Sequence, residues 1–522
     1  MTTSIVTAPE ALTRFHFRPE RGWLNDPNGM TFHEGRWHVF YQHNPAGPFH
    51  DRIAWGHVSS ADLRDWRQHP IAFGPTPGGP DEFGCWTGVF VPGLDRPAMA
   101  YSGVADESLG STICLRWGSG DLDAWGEPIV VGTTPHTDGI KVMRDPYVFA
   151  WEGRRWALLG AGLNDGTPAV LLYSCDDILD WNYEGIWLSY AAAPHLRDGA
   201  VADIFECPQL VWVDGVPVVL LSLQLDGTLD DVVAVPGAMT TVDGRPSFAA
   251  GAAARIDEGS SFYAPQVVPA PAGDPLGPLM LGWVRQGDLR GTGIPASGCL
   301  TLPRRLGMAG GRLVSRLDPA ALGLAAGRPV ELSPGTHPVP PQCLIEIDAG
   351  AGWSLRPDGY GDGDLGTGAA PSASTDPDTG TEVVVSRSAA DLAIVVDASG
   401  SGPAGAAGPG FPGSADADSA GVAGTASASA GVVGTDSAGV AGTAAASAGV
   451  GRTDSADEMK ADSSGAEAQA RPGTRVFVDA DVVEVYPGDL SAPVTVRGLP
   501  SGWVLTVPTD GRGRVTPIPG AG

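Results

Sequence analysis

Five short apolar segments recur along the first 300 residues at a nearly constant interval. Their first residues are 60, 58, 62 and 61 positions apart, and Gly, Pro and Asp residues separate them. Short β-type segments on a fixed period are typical of small antiparallel sheets repeated around an axis. No long stretch has competing helical periodicity. The pattern predicts an all-β fold in which residues 1–305 form a five-bladed β-propeller. The segments are His38–Tyr41, Ala98–Tyr101, Trp156–Leu159, Val218–Leu221 and Leu279–Gly282.

Three acidic residues occur at similar positions before these segments. Asp26 precedes the first segment by 12 residues, Asp145 the third by 11 and Glu206 the fourth by 12, and a proline follows each acid closely. Asp26 alone could belong to an ordinary turn, because Asp-Pro and Asn-Gly are turn dipeptides. If all three lie on the strands nearest the axis, however, their carboxylates converge at one end of the central channel. Such convergence is electrostatically unfavourable and therefore indicates a functional role.

The motifs around these acids resemble glycoside hydrolase family 32, the family of invertases, β-fructofuranosidases and sucrose-6-phosphate hydrolases. The matching segments occur in order between residues 15 and 306. The resemblance implies a five-bladed propeller followed by a β-sandwich, in agreement with the blade count from the repeat. The segments are WLNDPNG at 23–29, FYQHNP at 40–45, WGHVSSADLRDW at 55–66, MRDP at 143–146, FECP at 205–208, FYAPQ at 262–266 and CLTLPRRL at 299–306.

The resemblance also implies a role for each acid. Asp26 would be the nucleophile, Glu206 the general acid/base, and Asp145 the residue that binds fructose hydroxyls and stabilises the transition state. A retaining mechanism needs a nucleophilic carboxylate and a proton-donating carboxyl roughly 5 Å apart. It proceeds through a covalent intermediate, here a fructosyl ester of Asp26.

Seven further residues are predicted to bind substrate. Amide groups suit vicinal hydroxyls, and indole faces suit the C–H side of a sugar ring. Thr87 and its neighbours depart from the aromatic-Ser-Gly-Ser pattern common in the family, with Val89 in the last place. Adjacent strand residues point to opposite faces, so Arg144 is not assumed to pair with Asp145 and can instead reach a sugar hydroxyl. The predicted set is Asn25, Gln42, Trp55, Trp86, Thr87, Arg144 and Tyr263, the last as a hydrogen-bond partner of the acid/base or as a core residue.

No metal or cofactor is predicted. His16, His43 and His57 have no metal-ligand spacing, and the six cysteines contain no CxxC pair. The net charge of −28 argues against nucleic acid or an anionic membrane surface as a partner, and mildly against a phosphorylated substrate.

The N-terminal residues lack the features of a signal peptide, and no segment is long and apolar enough to span a membrane. A cytoplasmic location is therefore expected, which favours imported sucrose or short fructo-oligosaccharides over a polymer.

The C-terminal third is predicted to contain a β-sandwich over residues 343–522, after a linker at 306–342. Residues 399–472 consist almost entirely of Ala, Gly, Ser, Thr, Val and Asp, with an 18-residue repeat that starts at Asp418, Asp436 and Asp454. Such a composition cannot bury enough apolar surface to offset its ordering entropy. We expect a disordered insertion there, and a smaller loop near 362–381. A helical or solenoid form of the repeat is the alternative.

The leading hypothesis is a retaining glycosidase that removes terminal β-D-fructofuranosyl groups from sucrose or short fructo-oligosaccharides. A fructosyltransferase or a sucrose-6-phosphate hydrolase could use the same residues. A related arabinanase-like glycosidase and a non-catalytic sugar-binding protein fit the motifs less well. The sequence leaves the oligomeric state open.

Overall fold

The computed structural model describes residues 15–108, 110–271, 274–348, 354–357, 382–387, 392–397, 474–486, 492–497, 503–507 and 512–517. In these residues the structure is almost entirely β-strand, and the strands form seven sheets. The two helical segments are the 3₁₀ helix Pro194–Asp198 and the short α-helix Pro319–Leu322. No helix in the described part of the chain has the length and apolarity needed to cross a membrane.

Five sheets between residues 22 and 317 form successive blades, numbered here in chain order. Blade one contains Gly22–His33, Arg36–Asn44, Ala54–Ser60 and Arg67–Gln68, with Ala296–Ser297 parallel to its first strand. Blade two contains Gly84–Phe90, Ala98–Val104, Ser111–Trp117 and Ile129–Thr133. Blade three contains Ile140–Trp151, Arg154–Leu163, Pro168–Ser174 and Asn182–Ser189. Blade four contains Ile204–Val213, Val216–Leu225, Thr228–Val242, Arg245–Ala250 and Ala254–Arg255, and blade five contains Phe262–Val268, Leu279–Val284, Cys299–Leu300, Arg304–Ala309 and Arg312–Leu317.

The first strands of the five blades form a closed ring. Each contacts the first strand of the next blade, and the first strand of blade five contacts Gly22–His33 of blade one. The five apolar segments that set the sequence period all lie on second strands, which are buried between neighbouring sheets. The predicted five-bladed propeller is confirmed, and its first strands line the axis.

Blade five continues past the boundary that the sequence predicted at residue 305. Its strands Arg304–Ala309 and Arg312–Leu317 pair with each other and attach to Leu279–Val284. The predicted linker at 306–342 therefore begins with propeller strands and ends with strands Val330–Leu332 and Gly335–Val339 of the next two sheets. Strand Arg304–Ala309 begins with two adjacent arginines, and these charged residues mask its β-strand pattern in the sequence.

The last two sheets form the C-terminal part of the molecule. One contains Val330–Leu332, Gln342–Asp348, Thr474–Asp479, Val482–Tyr486, Val494–Arg497 and Arg512–Pro517. The other contains Gly335–Val339, Ser354–Pro357, Glu382–Arg387, Leu392–Asp397 and Trp503–Val507. Side chains of both sheets share one apolar core that includes Ile345, Leu355, Val485 and Leu505. The predicted insertion at 399–472 and the loop near 362–381 lie outside the described residues.

A buried group of charged residues joins the propeller to this sandwich. The Arg304 guanidinium donates to Asp257 of the propeller and to Glu484 of the sandwich, both at 2.7 Å. His16 has one ring nitrogen 2.9 Å from Asp479 and the other 2.8 Å from Glu484. Because these side chains have almost no exposed surface, charges of opposite sign must compensate one another within the interface.

Candidate active site

A β-bulge interrupts the first strand of every blade at the same level of the channel. In each strand, two residues lie opposite a single residue of the second strand. Bulges re-aim side chains, so a ring of five gives the channel a set of inward-pointing groups. In blades three to five the first bulge residue has positive φ and precedes a proline, which has no N–H to lose from the ladder. The bulge pairs are Asn25–Asp26, Trp86–Thr87, Asp145–Pro146, Cys207–Pro208 and Ala264–Pro265.

The three acids lie at this level but not at equivalent register positions. Asp26 is the second residue of its bulge, Asp145 is the first of its bulge, and Glu206 is the last paired residue before its bulge. The prediction that the three acids occupy equivalent positions is therefore wrong, because each acid differs from the next by one residue in its position relative to the bulge. The bulges nevertheless let the three carboxylates point into the same space.

The three carboxylates line one cavity. Six of the seven predicted substrate-binding residues line it as well. The six are Asn25, Gln42, Trp86, Thr87, Arg144 and Tyr263.

Trp55 is the exception, and its predicted role in binding substrate is wrong. Its side chain is fully buried, packs against Phe73 with ring centroids 4.9 Å apart, and does not line the cavity. Its indole N–H lies 3.2 Å from the backbone carbonyls of Cys85 and Trp86. Trp55 therefore supports the bulge of blade two from behind, because its strand position points into the space between blades.

Asp26 is held by three side-chain donors. Asn25 Nδ2 donates to Oδ1 at 3.0 Å, while Gln42 Nε2 and Thr87 Oγ1 donate to Oδ2 at 3.1 and 2.5 Å. Asn25 is fixed in turn by the indole N–H of Trp23, at 2.7 Å from its Oδ1. These bonds orient the carboxylate and favour its charged form.

Asp145 lies beside Cys207 at the base of the same cavity. The backbone N–H of Cys207 donates to Asp145 Oδ2 at 3.0 Å, and the Cys207 sulfur lies 3.5 Å from that oxygen. The same sulfur is 3.8 Å from Asp26 Oδ2. Cys207 thus separates the two aspartates, and its buried thiol has a pKa well above its usual value because of burial and the three nearby carboxylates.

Glu206 is held by a cation and a phenol. Arg144 Nε donates to Oε1 at 2.8 Å and also donates to Gln224. The Tyr263 hydroxyl lies 2.6 Å from Glu206 Oε2 and 3.0 Å from the carbonyl of Leu223. Arg144 therefore pairs with Glu206, and Tyr263 contacts the proposed acid/base directly.

Burial changes the titration of both aspartates. Desolvation raises the pKa of Asp26 to about 6, and the charge of Glu206 adds to this rise, although hydrogen bonds from Thr87 and Asn25 oppose it. Desolvation raises the pKa of Asp145 to about 7, with a further contribution from Glu206 that Arg144 partly offsets. Each aspartate therefore interacts electrostatically with Glu206, as expected for carboxylates that converge in one cavity.

Besides Cys207, four residues that line the cavity were not predicted from the sequence as site residues. Trp23 lies inside the WLNDPNG motif, so a motif signal for it existed, whereas His50, Leu229 and Trp283 have none. Trp23 packs edge-on against Trp283 with ring centroids 5.7 Å apart. Burial lowers the pKa of His50 to about 4, so this wall of the cavity is neutral at ordinary pH. These residues lie on different loops and strands and come together only in the folded propeller, so their sequence positions do not predict that they share a cavity.

The family model described as glycosyl hydrolases family 32 N-terminal domain matches residues 16–316, more than half of the chain. This chain belongs to glycoside hydrolase family 32. The raffinose invertase of Escherichia coli is 30% identical over 321 residues, which cover 58% of this chain and 63% of that protein. The sucrose-6-phosphate hydrolase of Escherichia coli is 28% identical over a segment of the same coverage. The chain thus spans slightly less than two thirds of these family 32 relatives.

Solved family 32 structures share the fold over almost the whole chain. The sucrose-6-phosphate hydrolase from Lactobacillus gasseri has a TM-score of 0.70 at 20% identity, with 98% of this chain and 94% of that chain covered. The β-fructofuranosidase BmSUC1 of Bombyx mori has a TM-score of 0.67 at 19% identity, with the same coverage. The propeller and sandwich architecture is therefore that of family 32.

Proposed function

We propose that this protein is a retaining glycosidase that hydrolyses terminal β-D-fructofuranosides, with sucrose and short fructo-oligosaccharides as substrates. The observation that carries the proposal is the convergence of Asp26, Asp145 and Glu206 in one cavity, with Asp26 and Glu206 held by separate sets of donors. Retaining hydrolysis needs one carboxylate beneath the anomeric carbon and one carboxyl beside the leaving oxygen. Family membership and the names of the relatives support the same activity.

Asp26 attacks the anomeric carbon of the fructosyl group while Glu206 protonates the departing glycosidic oxygen. The bond to the leaving sugar breaks, and a fructosyl ester forms on Asp26. Glu206 then removes a proton from water, which attacks the same carbon and restores the Asp26 carboxylate. Asp145 binds fructose hydroxyls and stabilises the positive charge that develops on the ring.

Tyr263 suits this change of role in Glu206. Its hydroxyl can donate to the ionised carboxylate at 2.6 Å. When Glu206 holds the proton that it delivers to the glycosidic oxygen, the same hydroxyl can donate to the carbonyl of Leu223, 3.0 Å away. The Tyr263 hydroxyl therefore keeps an acceptor in both protonation states of Glu206, which limits reorganisation during the reaction.

The charges of the cavity favour a neutral substrate over a phosphorylated one. Among the described residues that line it, Arg144 is the one permanent cation, and it is already paired with Glu206. Two further carboxylates, Asp26 and Asp145, line the cavity beside that pair, so a phosphate group inside the cavity would meet mostly negative charge. Sucrose is therefore proposed as a better substrate than sucrose 6-phosphate.

We also propose a cytoplasmic location. All six cysteines are buried free thiols, as in a reducing compartment.

The test is a substrate panel measured by kcat/KM, with sucrose, sucrose 6-phosphate, a trisaccharide fructan and inulin. Asp26→Asn should lower hydrolysis at least about a thousandfold, because Asn cannot form the ester intermediate. A folded Asp26→Asn variant that still released glucose would refute the mechanism. Added oligosaccharide products at high sucrose would indicate fructosyl transfer instead.

A further inference from the structure

Three side chains of blades one and two form a separate cluster on the outer strands of the propeller. His57 lies on Ala54–Ser60 and His69 directly follows Arg67–Gln68, both in blade one. Asp123 belongs to the loop between the third and fourth strands of blade two. We propose that these residues bind a divalent transition-metal ion, Zn²⁺ or a chemically similar one, that links the two blades. None of the three lines the catalytic cavity.

The two histidines are neighbours across adjacent strands. The backbone N–H of His69 donates to the carbonyl of His57 at 2.9 Å, and their rings stack with centroids 4.1 Å apart. Side chains directly opposite on neighbouring strands are close enough to share a ligand, and one of the two rings must rotate about its Cβ–Cγ bond for both Nδ1 lone pairs to reach the same ion. Sequence spacing gave no indication of this, because His57 and His69 are separated by a loop.

The distances suit one ion. Asp123 Oδ1 lies 2.8 Å from His69 Nδ1 and 3.7 Å from His57 Nδ1, and the three ligand atoms lie within 4.8 Å of one another. Two ligands bound to zinc at about 2.1 Å in tetrahedral geometry lie about 3.4 Å apart, between the two observed values. The Asp123 side chain is 41% exposed, so it has room to adjust to the ion.

The remaining ring nitrogens have the partners that metal-binding histidines require. His57 Nε2 lies 2.9 Å from His38 Nδ1, and His69 Nε2 lies 2.8 Å from Ser59 Oγ. If each Nε2 carries the proton and donates to these partners, both Nδ1 atoms are unprotonated and can bind a metal ion. Such outer hydrogen bonds fix the tautomer and the ring orientation of metal ligands.

The surroundings hold the ring of His57 in place. It stacks on Phe40 with centroids 4.1 Å apart and an interplanar angle of 11°. Two imidazoles and one carboxylate are ligands that Zn²⁺, Co²⁺, Ni²⁺ and Cu²⁺ prefer, whereas Mg²⁺ and Ca²⁺ prefer oxygen alone. Solvent would complete the coordination.

The experiment titrates the chelator-treated full-length protein with Co²⁺, followed by its visible absorption, and with Zn²⁺, followed by calorimetry. His69→Gln and Asp123→Asn each remove one ligand and are partly exposed, so both variants should fold. Asp65→Asn is the matched control, since it removes an exposed carboxylate of blade one outside the cluster. The wild type and Asp65→Asn should bind one ion, and the two ligand variants should bind at least about tenfold more weakly. Zn²⁺ should also raise the unfolding temperature of the wild type and of Asp65→Asn, but not that of the two ligand variants.

Three results would overturn the proposal. One is the lack of a Co²⁺ spectrum, which would leave the contact between His69 and Asp123 as an ordinary hydrogen bond. Another is equal Zn²⁺ affinity in all four proteins. The third is inhibition of sucrose hydrolysis that follows Zn²⁺ binding equally in all four, which would place the ion among the catalytic carboxylates.

Discussion

His16 offers a quantitative test of the contact between propeller and sandwich. Its ring nitrogens face two carboxylates, Asp479 Oδ2 at 2.9 Å and Glu484 Oε1 at 2.8 Å. Burial alone would lower the pKa of His16, but the hydrogen bonds and charges of these two acids together raise it from 6.5 to about 9. The folded protein therefore holds this proton more tightly than the unfolded chain does.

The rise in the pKa of His16 sets the size of its contribution to the folding free energy. A rise of about 2.5 pKa units, at about 1.36 kcal/mol per unit, corresponds to about 3 kcal/mol of folding free energy. Because the folded pKa is raised, this contribution is fully present below pH 6.5 and is lost as the pH rises through about 9. Alkaline conditions should therefore weaken the interface.

The perturbation is His16→Gln, which can donate to one carboxylate but cannot carry the compensating charge. Urea unfolding followed by tryptophan fluorescence, at about pH 6 and about pH 10, would give the free energy of unfolding. The variant should be less stable by about 3 kcal/mol at the lower pH and approach the wild type at the higher pH. His195→Gln, an exposed histidine, should change little at either pH. A stability difference for His16→Gln that does not vary with pH would contradict a charged His16 between the two carboxylates.

The other predictions concern the active site and the insertion. The value of kcat/KM should fall tenfold per unit below about pH 6, because the raised pKa of Asp26 leaves the nucleophile protonated there. Tyr263→Phe should lower kcat about tenfold and shift the pH profile, and an unchanged profile would contradict its contact with Glu206. Gly160→Ala should reduce activity and stability, because the new Cβ would lie 2.2 Å from a backbone carbonyl of the strand that carries Glu206. Deletion of residues 399–472 should leave sucrose hydrolysis intact, and a folded but inactive product would contradict this.

Much of the fold was predictable because its signals are local. Second strands of propeller blades are buried on both faces, so each produces a short apolar segment with turn residues around it. Five such segments on one period therefore indicated five blades. The acids were predictable for a related reason, since Asp26, Asp145 and Glu206 each lie within a contiguous motif at a fixed distance from a blade segment.

The roles of the neighbouring side chains were less predictable. The direction of a strand residue depends on register, and a bulge shifts that register by one residue. This shift lets Arg144 and Asp145 contribute to the same cavity although they are adjacent in sequence. The bulge of blade two likewise places Trp86 in the cavity, whereas Trp55, on the third strand of blade one, lies behind that bulge.

The number of blades, the three carboxylates and the family follow from local motifs and their period along the chain. Tertiary structure decided which groups act on those carboxylates: Arg144 and Tyr263 on Glu206, Cys207 between the two aspartates, and Trp283 across the cavity. It also decided the contacts of His16 with the sandwich and of His57 with Asp123. These pairs are far apart in sequence and meet only when neighbouring blades pack together and the propeller packs on the sandwich, and no local pattern of residues records that packing.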